Sequence, residues 1–304
     1  MVKDMNTAEH LVIGFQGALH REGLAKSSRT KYVQHVREFI TRLADDDRIV
    51  AASRRDAEDY LDRLVAEDGL AVPTIRLRLA ALKRFYDYLD DRELLDGRNP
   101  FARIKAPKQR RKPNDWLRRD EDLAVTNACV TRQERILHAL LRFAGLRIGE
   151  ATALVQRNVD LDRDELRVTI SKSDSGLRTV PIHPELRKEL VAWLGHLEGR
   201  GQRRAELPLL VTKNGTPMKA QFGWRLIKRV SGRAEVRPLP GKQLSQVTPH
   251  TLRRTFGTDL LNRGMPLEHV SKLLGHADTR VTQMSYAELL DETVRAAAIT
   301  AWSS

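Results

Sequence analysis

The residues of this chain with the most chemical content lie in three short stretches beyond residue 140. In HTLRRTF, His250 and Arg253 stand three positions apart. Thr248 and Pro249 precede them as a capping side chain and a first-turn proline. This pattern predicts a helix start with both side chains on one face. The pair is either a solvated basic face or half of an anion-binding site. In AGLRIGE, Arg147 follows an apolar run and a glycine, where an exposed arginine is not expected, and Glu150 lies within reach three residues on. In VSKLLGHADTRVTQMSYAELL, an apolar run ends at Gly275, His276 follows, and Tyr286 comes ten residues later. Arginines suit planar, bidentate binding of an anion, histidines suit proton transfer, and a tyrosine suits covalent attack. Motifs this short recur by chance, so each weighs little alone.

The elements that must hold these residues are readable from periodicity. RILHALLRFAGLRIGEATAL is helical, interrupted at Gly145 and resumed near Ile148. ELRVTI and LRTVPI are β-prone runs around SKSDSG, whose Gly176 suits a hairpin turn, and PLLVTKNGTPM adds a turn at Asn214 and Gly215. QFGWRLIKRV is helical, and helices continue from residue 249 to the end. His183 reads as part of a strand-to-helix connection, His269 as a helix-face residue and Cys129 as a small core residue. The chain up to about residue 96 reads as helical throughout. TAEHLVIGFQGALHREG ends at Gly23, and Ser27 or Ser28 is placed to cap RTKYVQHVREFITRL, whose Val33, Val36, Ile40 and Leu43 form one stripe. ASRRDAEDYLDRLV carries Ala57, Tyr60, Leu61 and Leu64 at helical spacing. A further helix after Pro73 carries Ile75, Leu79, Leu82, Phe85 or Tyr86, and Leu89. Four such helices pack as a small bundle. Between the halves, three prolines and the run Lys105, Lys108, Arg110, Arg111 and Lys112 mark a basic linker, which reads either as a solvated tether or, the reading preferred here, as a strap that crosses a phosphate backbone. The expected division is a helical domain at 1–96, a linker at 97–118 and a mixed domain at 119–304.

Composition bounds the function. At 304 residues there is chain enough for two cores, and 41% hydrophobic with 31% charged residues is a globular balance. No apolar run approaches the ~20 residues of a membrane helix, and the amino terminus lacks the apolar stretch of a signal peptide. One cysteine leaves no intramolecular disulfide and no cysteine-based zinc site, so a cytoplasmic setting is expected. The formal charge of +13 favours polyanions, nucleic acid first among them.

The ordered landmarks GLRIGE, a lysine hairpin, PHTLRRTFGTDLL, LLGHAD and a late tyrosine resemble the tyrosine recombinases, a family that includes phage integrases and the Xer proteins. The likeness covers the C-terminal half closely, while the N-terminal helices match only in general character. It implies a mainly α protein with a small β-sheet in the catalytic domain. The architecture implied is a two-domain DNA clamp, an N-terminal helical bundle plus an α+β catalytic domain. Carried over by position, the first catalytic arginine is Arg147, the hairpin lysine Lys172, the next pair His250 and Arg253, the following histidine His276 and the nucleophile Tyr286. The family separates its last histidine and its tyrosine by nine positions. Here Ser285 fills that slot and the tyrosine follows one later. Tyrosines stand at 32, 60, 86, 88 and 286, so only Tyr286 lies beyond the linker.

The resemblance implies a site-specific recombinase that cleaves and rejoins DNA through a 3′-phosphotyrosine. Arg147 and Arg253 neutralise the phosphate, Lys172 protonates the leaving 5′-oxygen, His250 assists at the tyrosine and His276 binds a phosphate oxygen. Glu150 orients its neighbours. No metal or cofactor is expected, since the histidines show no ligand spacing. The partners implied are double-stranded DNA bearing specific sites, further copies in a tetramer on DNA, and in some relatives an accessory DNA-bending or directionality protein. Type IB topoisomerase chemistry and a non-catalytic DNA-binding regulator on the same fold are the alternatives. Arg29, Lys31, Arg37, Arg76, Lys83 and Arg84 lie off the apolar stripes of their helices, and with Lys108, Arg110 and Arg111 they are the expected DNA contacts. The tail, with Leu289, Val294, Ala297 and Ile299, is amphipathic and docks on its own core or on a neighbouring protomer.

Overall fold

The computed structural model describes residues 7–43, 49–66, 68–108, 115–169 and 177–276. The chain forms two compact units, Met1–Arg111 and Lys112–Ser304.

The first unit holds four helices, α1 (Thr7–Arg21), α2 (Lys26–Leu43), α3 (Arg54–Ala66) and α4 (Val72–Asp90). Their expected stripes meet in one core in which Val36, Leu64, Leu82 and Leu89 are fully buried. Aromatic rings knit the centre together. Phe39 meets Tyr60 edge-on at 4.9 Å and Phe101 at 5.2 Å, and Tyr86 donates its hydroxyl to the carbonyl of Ile49 at 3.1 Å. Helix α2 begins earlier than its serines suggested. The carbonyl of Ala25 accepts from the N–H groups of Ser28 and Arg29, so Ser27 and Ser28 sit inside the first turn and not at its cap.

Part of the stretch read as a linker packs into this unit. Asn99 donates to the carbonyl of Lys83 at 3.1 Å and to Asp87 at 2.6 Å, and Phe101 and Ile104 are buried in the same core. At the other end, Asp115 and Leu117 bond to the second unit through Thr251 and Thr255.

The second unit is built around α6 (Arg132–Phe143), which packs against α8 (Pro184–Glu198), α9 (Ala220–Arg233) and α10 (Pro249–Asn262). Thr131 caps α6 by accepting from the N–H of Glu134, whose carboxylate returns the favour to the N–H of Thr131 at 2.9 Å. Helix α5 (Arg119–Asn127) precedes it, and the short α7 (Ile148–Ala153) follows. Three antiparallel strands, β1 (Val159–Asp160), β2 (Glu165–Val168) and β3 (Arg178–Pro181), lie in sequence order, with Leu166 paired to Val180. Helix α11 (Leu267–Leu274) closes the described chain. The expected turn before α9 is present, with Gly215 at a φ of +78°. The SKSDSG turn and the tail lie outside the described residues.

Candidate active site

Gly145 sets the site's geometry. Helix α6 stops there because the residue takes a φ of +60°, a conformation suited to glycine, and a Cβ at this position would stand 2.3 Å from the ring of Phe256 on α10. The chain then buries Leu146 and turns outward, so Arg147 becomes the residue that precedes α7. Glu150, one turn into α7, accepts from the backbone N–H of Arg147 at 2.9 Å and from its guanidinium Nη1 at 2.6 Å. Arg147 is therefore half-buried and held by a carboxylate that is itself buried.

Helix α10 starts as expected. Thr248 accepts from the N–H of Thr251 at 3.3 Å, and Pro249 occupies the first turn. His250 and Arg253 share a face but not an environment. His250 is exposed, whereas Arg253 is 2% exposed. Arg253 donates Nη1 to the carbonyl of Gly145 at 2.5 Å and Nη2 to the carbonyl of Leu274, with Glu150 3.7 Å away. This settles the choice left open by the sequence against a merely solvated basic face. The one buried carboxylate of Glu150 is shared among Arg147, Arg178 and Arg253, so among these four groups positive charge is in excess.

Helix α11 ends at Gly275, whose φ of +64° turns the chain so that His276 faces the arginines. Arg147 reaches the carbonyl of Gly275 at 3.2 Å. A cleft of about 690 Å³ is lined by Arg147, Glu150, Trp224, His250 and Arg253. Burial first, and then the charges of Arg253 and Arg147, push the pKa of His276 down to about 4. His250 is open to solvent on one side yet crowded on the other. Desolvation, then Arg254, Arg253 and Arg147, lower its pKa to about 4 as well. For Glu150, burial acts to raise the pKa, but hydrogen bonds from Arg178 and Arg147 outweigh it and hold the carboxyl below its usual range. Both histidines are thus neutral near pH 7 beside a cluster of guanidiniums, a setting that attracts an anion and leaves imidazole nitrogens able to accept protons.

The residue that sequence reasoning missed is Arg178. Its side chain is 6% exposed and donates to Glu150 at 3.0 Å and to the carbonyl of Leu273 at 2.6 Å. A signal was present: strand alternation puts residue 178 on the face of buried Val180, where an arginine needs a partner. Lys172 and Tyr286 lie outside the described residues.

On the first unit, Lys31, Arg76 and Lys108 are exposed, and Arg29, Lys83 and Arg84 are half-buried. Arg84 pairs with Glu22 and Arg37 with Glu9, while Arg76 and Lys83 reach the carbonyls of Pro107 and Ala102 at 3.4 Å. Arg110 and Arg111 lie outside the described residues. Among the described residues no group of histidine, cysteine and acidic side chains is disposed to hold a metal ion, and no helix is long and apolar enough to cross a membrane.

Known proteins share both units. Residues 115–293 match the phage integrase family, and residues 11–96 match the phage integrase N-terminal SAM-like domain. The chain is 30% identical over 281 residues to tyrosine recombinase XerC of Bacillus pumilus, covering 87% of this chain and 86% of that one. It is 31% identical over 283 residues to tyrosine recombinase XerD of Ralstonia nicotianae, covering 90% and 87%. In fold it is similar to the Tn1549 transposon integrase in complex with circular intermediate DNA, with a TM-score of 0.72, 20% identity and coverage of 91% and 94%. A lambda integrase dimer bound to a COC′ core site gives a TM-score of 0.72 at 15% identity, covering 91% of this chain and 76% of that one.

Proposed function

The chain belongs to the phage integrase family and is a tyrosine site-specific recombinase, and from that premise we propose that Arg147, Lys172, His250, Arg253, His276 and Tyr286 form the centre at which it cuts and rejoins DNA. The observation that carries this reading is that Arg147, His250 and Arg253 line one cleft while His276 lies within the field of the same two arginines and of His250, the four being drawn from three separate stretches of sequence.

In the proposed reaction the scissile phosphate enters with two non-bridging oxygens facing Arg147 and Arg253. The phenolic oxygen of Tyr286 attacks phosphorus, the new O–P bond forms as the bond to the 5′-oxygen breaks, and a 3′-phosphotyrosine results. The phenolic proton passes to His250, which is neutral and can accept it. Lys172 donates a proton to the departing 5′-oxygen. His276 donates a hydrogen bond to a phosphate oxygen. A phosphodiester is exchanged for a phosphoester of similar energy, so a second 5′-hydroxyl reverses the step and joins strands without an energy source. Charge on the non-bridging oxygens grows at the transition state, where fixed guanidiniums are worth most.

The substrate proposed is double-stranded DNA carrying specific recombination sites, held in the cytoplasm by four copies on two sites, with an accessory DNA-bending protein compatible with the arrangement. The DNA named with the Tn1549 and lambda integrases supports this substrate class. The first unit supplies Arg29, Lys31, Arg76 and Lys83 as backbone contacts, Arg84 as a weaker one because it already pairs with Glu22, and Lys108, Arg110 and Arg111 at its carboxyl end. The test is covalent trapping on a nicked suicide duplex taken from DNA flanking the coding sequence. Wild type is expected to form an adduct that survives denaturation, and Tyr286→Phe none. An adduct that persists in Tyr286→Phe overturns the assignment of the nucleophile.

A further inference from the structure

The end of α11 presents more carbonyl groups than its own backbone can satisfy. The glycine turn deals with two of them: Gly275 donates its N–H to Lys272 at 3.0 Å, and His276 donates to Ser271 at 3.1 Å. Among the described residues no backbone N–H takes the next three carbonyls in sequence, and each accepts from a different guanidinium. Leu273 takes Nε of Arg178 at 2.6 Å, Leu274 takes Nη2 of Arg253, and Gly275 takes Nη2 of Arg147 at 3.2 Å. Three arginines from β3, α10 and the residue before α7 thus cap one helix end, whose dipole favours cations.

Arg178 differs from the other two. It is absent from the residues that line the cleft and its side chain is 6% exposed. One edge of its planar fork spans two groups, Leu273 through Nε and Glu150 through Nη2 at 3.0 Å. Glu150 in turn holds Arg147 by both backbone and side chain. We infer that Arg178 is a positioning residue for strand cleavage: by tying Glu150 to the end of α11, it fixes where Arg147 and His276 stand when the phosphate arrives. This rests on the site reading given above. Lysine cannot reproduce the fork, because its ammonium is a point donor without a planar pair of N–H groups.

The experiment uses the full chain as wild type, Arg178→Lys and Arg178→Gln, on the nicked flanking-sequence duplex. The scissile group is made either as a phosphodiester or as a methylphosphonate, which lacks one anionic oxygen. Single-turnover adduct formation, duplex affinity by mobility shift and thermal unfolding are read together. Both variants are expected to bind within a few-fold of wild type and to form the adduct about 10²-fold more slowly on the phosphodiester, the loss typical of a misplaced charge-stabilising donor. On the methylphosphonate, where less charge must be neutralised, the deficit shrinks to a few-fold. Arg178→Lys retains a buried cation able to make one of the two bonds, so it keeps the test informative if Arg178→Gln unfolds. Equal deficits on the two duplexes mean a general structural role and overturn the inference. So does a wild-type rate in Arg178→Lys, which would show that the fork is not needed. A Tyr286-dependent adduct formed at the wild-type rate by both variants overturns this inference alone. A wild type without any adduct overturns the site reading and this one with it.

Discussion

His250 and His276 sit beside guanidiniums with their pKa values lowered to about 4, so the chain without DNA keeps both neutral at pH 7. A phosphate placed against them favours the protonated form and raises both values. Between about pH 4 and the raised value, binding therefore takes up protons, and DNA affinity rises as pH falls. Calorimetry in buffers of different ionisation enthalpy at pH 6 is expected to show net proton uptake, reduced in His250→Ala and in His276→Asn. Stability runs the other way. Both folded values lie below the ordinary 6.5. The unfolded chain then binds more protons across that window, and stability is full above about pH 6.5 and declines as pH falls toward 4. A unit that grows more stable on acidification from pH 6.5 to 5 would contradict the lowered values. Arg147, His250 and His276 were readable from the sequence because each stands beside a glycine or a capping signal that announces a turn, and Arg253 because it follows His250 by three on the same helix. For Arg178 the one signal was strand alternation with Val180, which asks for a partner without naming it, and its partners, Glu150 and Leu273, are distant in sequence.

Helix ends, not helix faces, place the reactive groups, so the glycines at those ends are where the fold is least tolerant. Gly145→Ala forces a Cβ to 2.3 Å from the ring of Phe256 and keeps a φ of +60°. Strain and overpacking together are expected to cost about 2–4 kcal/mol. Denaturant unfolding measures this. Adding Phe256→Leu is expected to recover the overpacking part and leave the φ part, and a Gly145→Ala chain of wild-type stability would mean that α6 and α10 do not approach so closely. The Thr248–Pro249 start of α10 and the break at Gly145 were readable because capping and left-handed turns are local. The start of α2 was misjudged for a related reason: Ser27 and Ser28 carry the chemistry of caps, but Ala25 already accepts from the first free N–H groups. Strand β1, two residues long, is too short for any alternation to appear. The inward packing of Asn99, Phe101 and Ile104 was hidden by the prolines and basic residues around them.

With a formal charge of +13, the whole chain is built for a polyanion, and the distribution of that charge is testable through salt. Lys31 and Lys108 are exposed, whereas Arg84 and Arg37 already face Glu22 and Glu9. Replacing Lys31 or Lys108 by alanine is expected to weaken duplex binding and to flatten the plot of log affinity against log salt by about 0.9 each. Replacing Arg84 or Arg37 is expected to change that slope less. Equal slopes for all four variants would remove these positions from the phosphate-contacting face. The capped end of α11 bears on how such a chain tolerates change in length. Among the described residues, Leu273, Leu274 and Gly275 are the last to accept from the three arginines, and the turn itself closes with the N–H of His276. The stretches that carry Arg147, Arg178, Arg253 and Leu273–Gly275 are thus gauge-fixed to one another, and an inserted residue within any of them is expected to disturb the cleft. The count of residues between His276 and Tyr286 lies downstream of that gauge. On the proposed assignment of Tyr286, the one position by which this chain exceeds the spacing usual in the family it resembles is expected to leave the described contacts of the arginines in place.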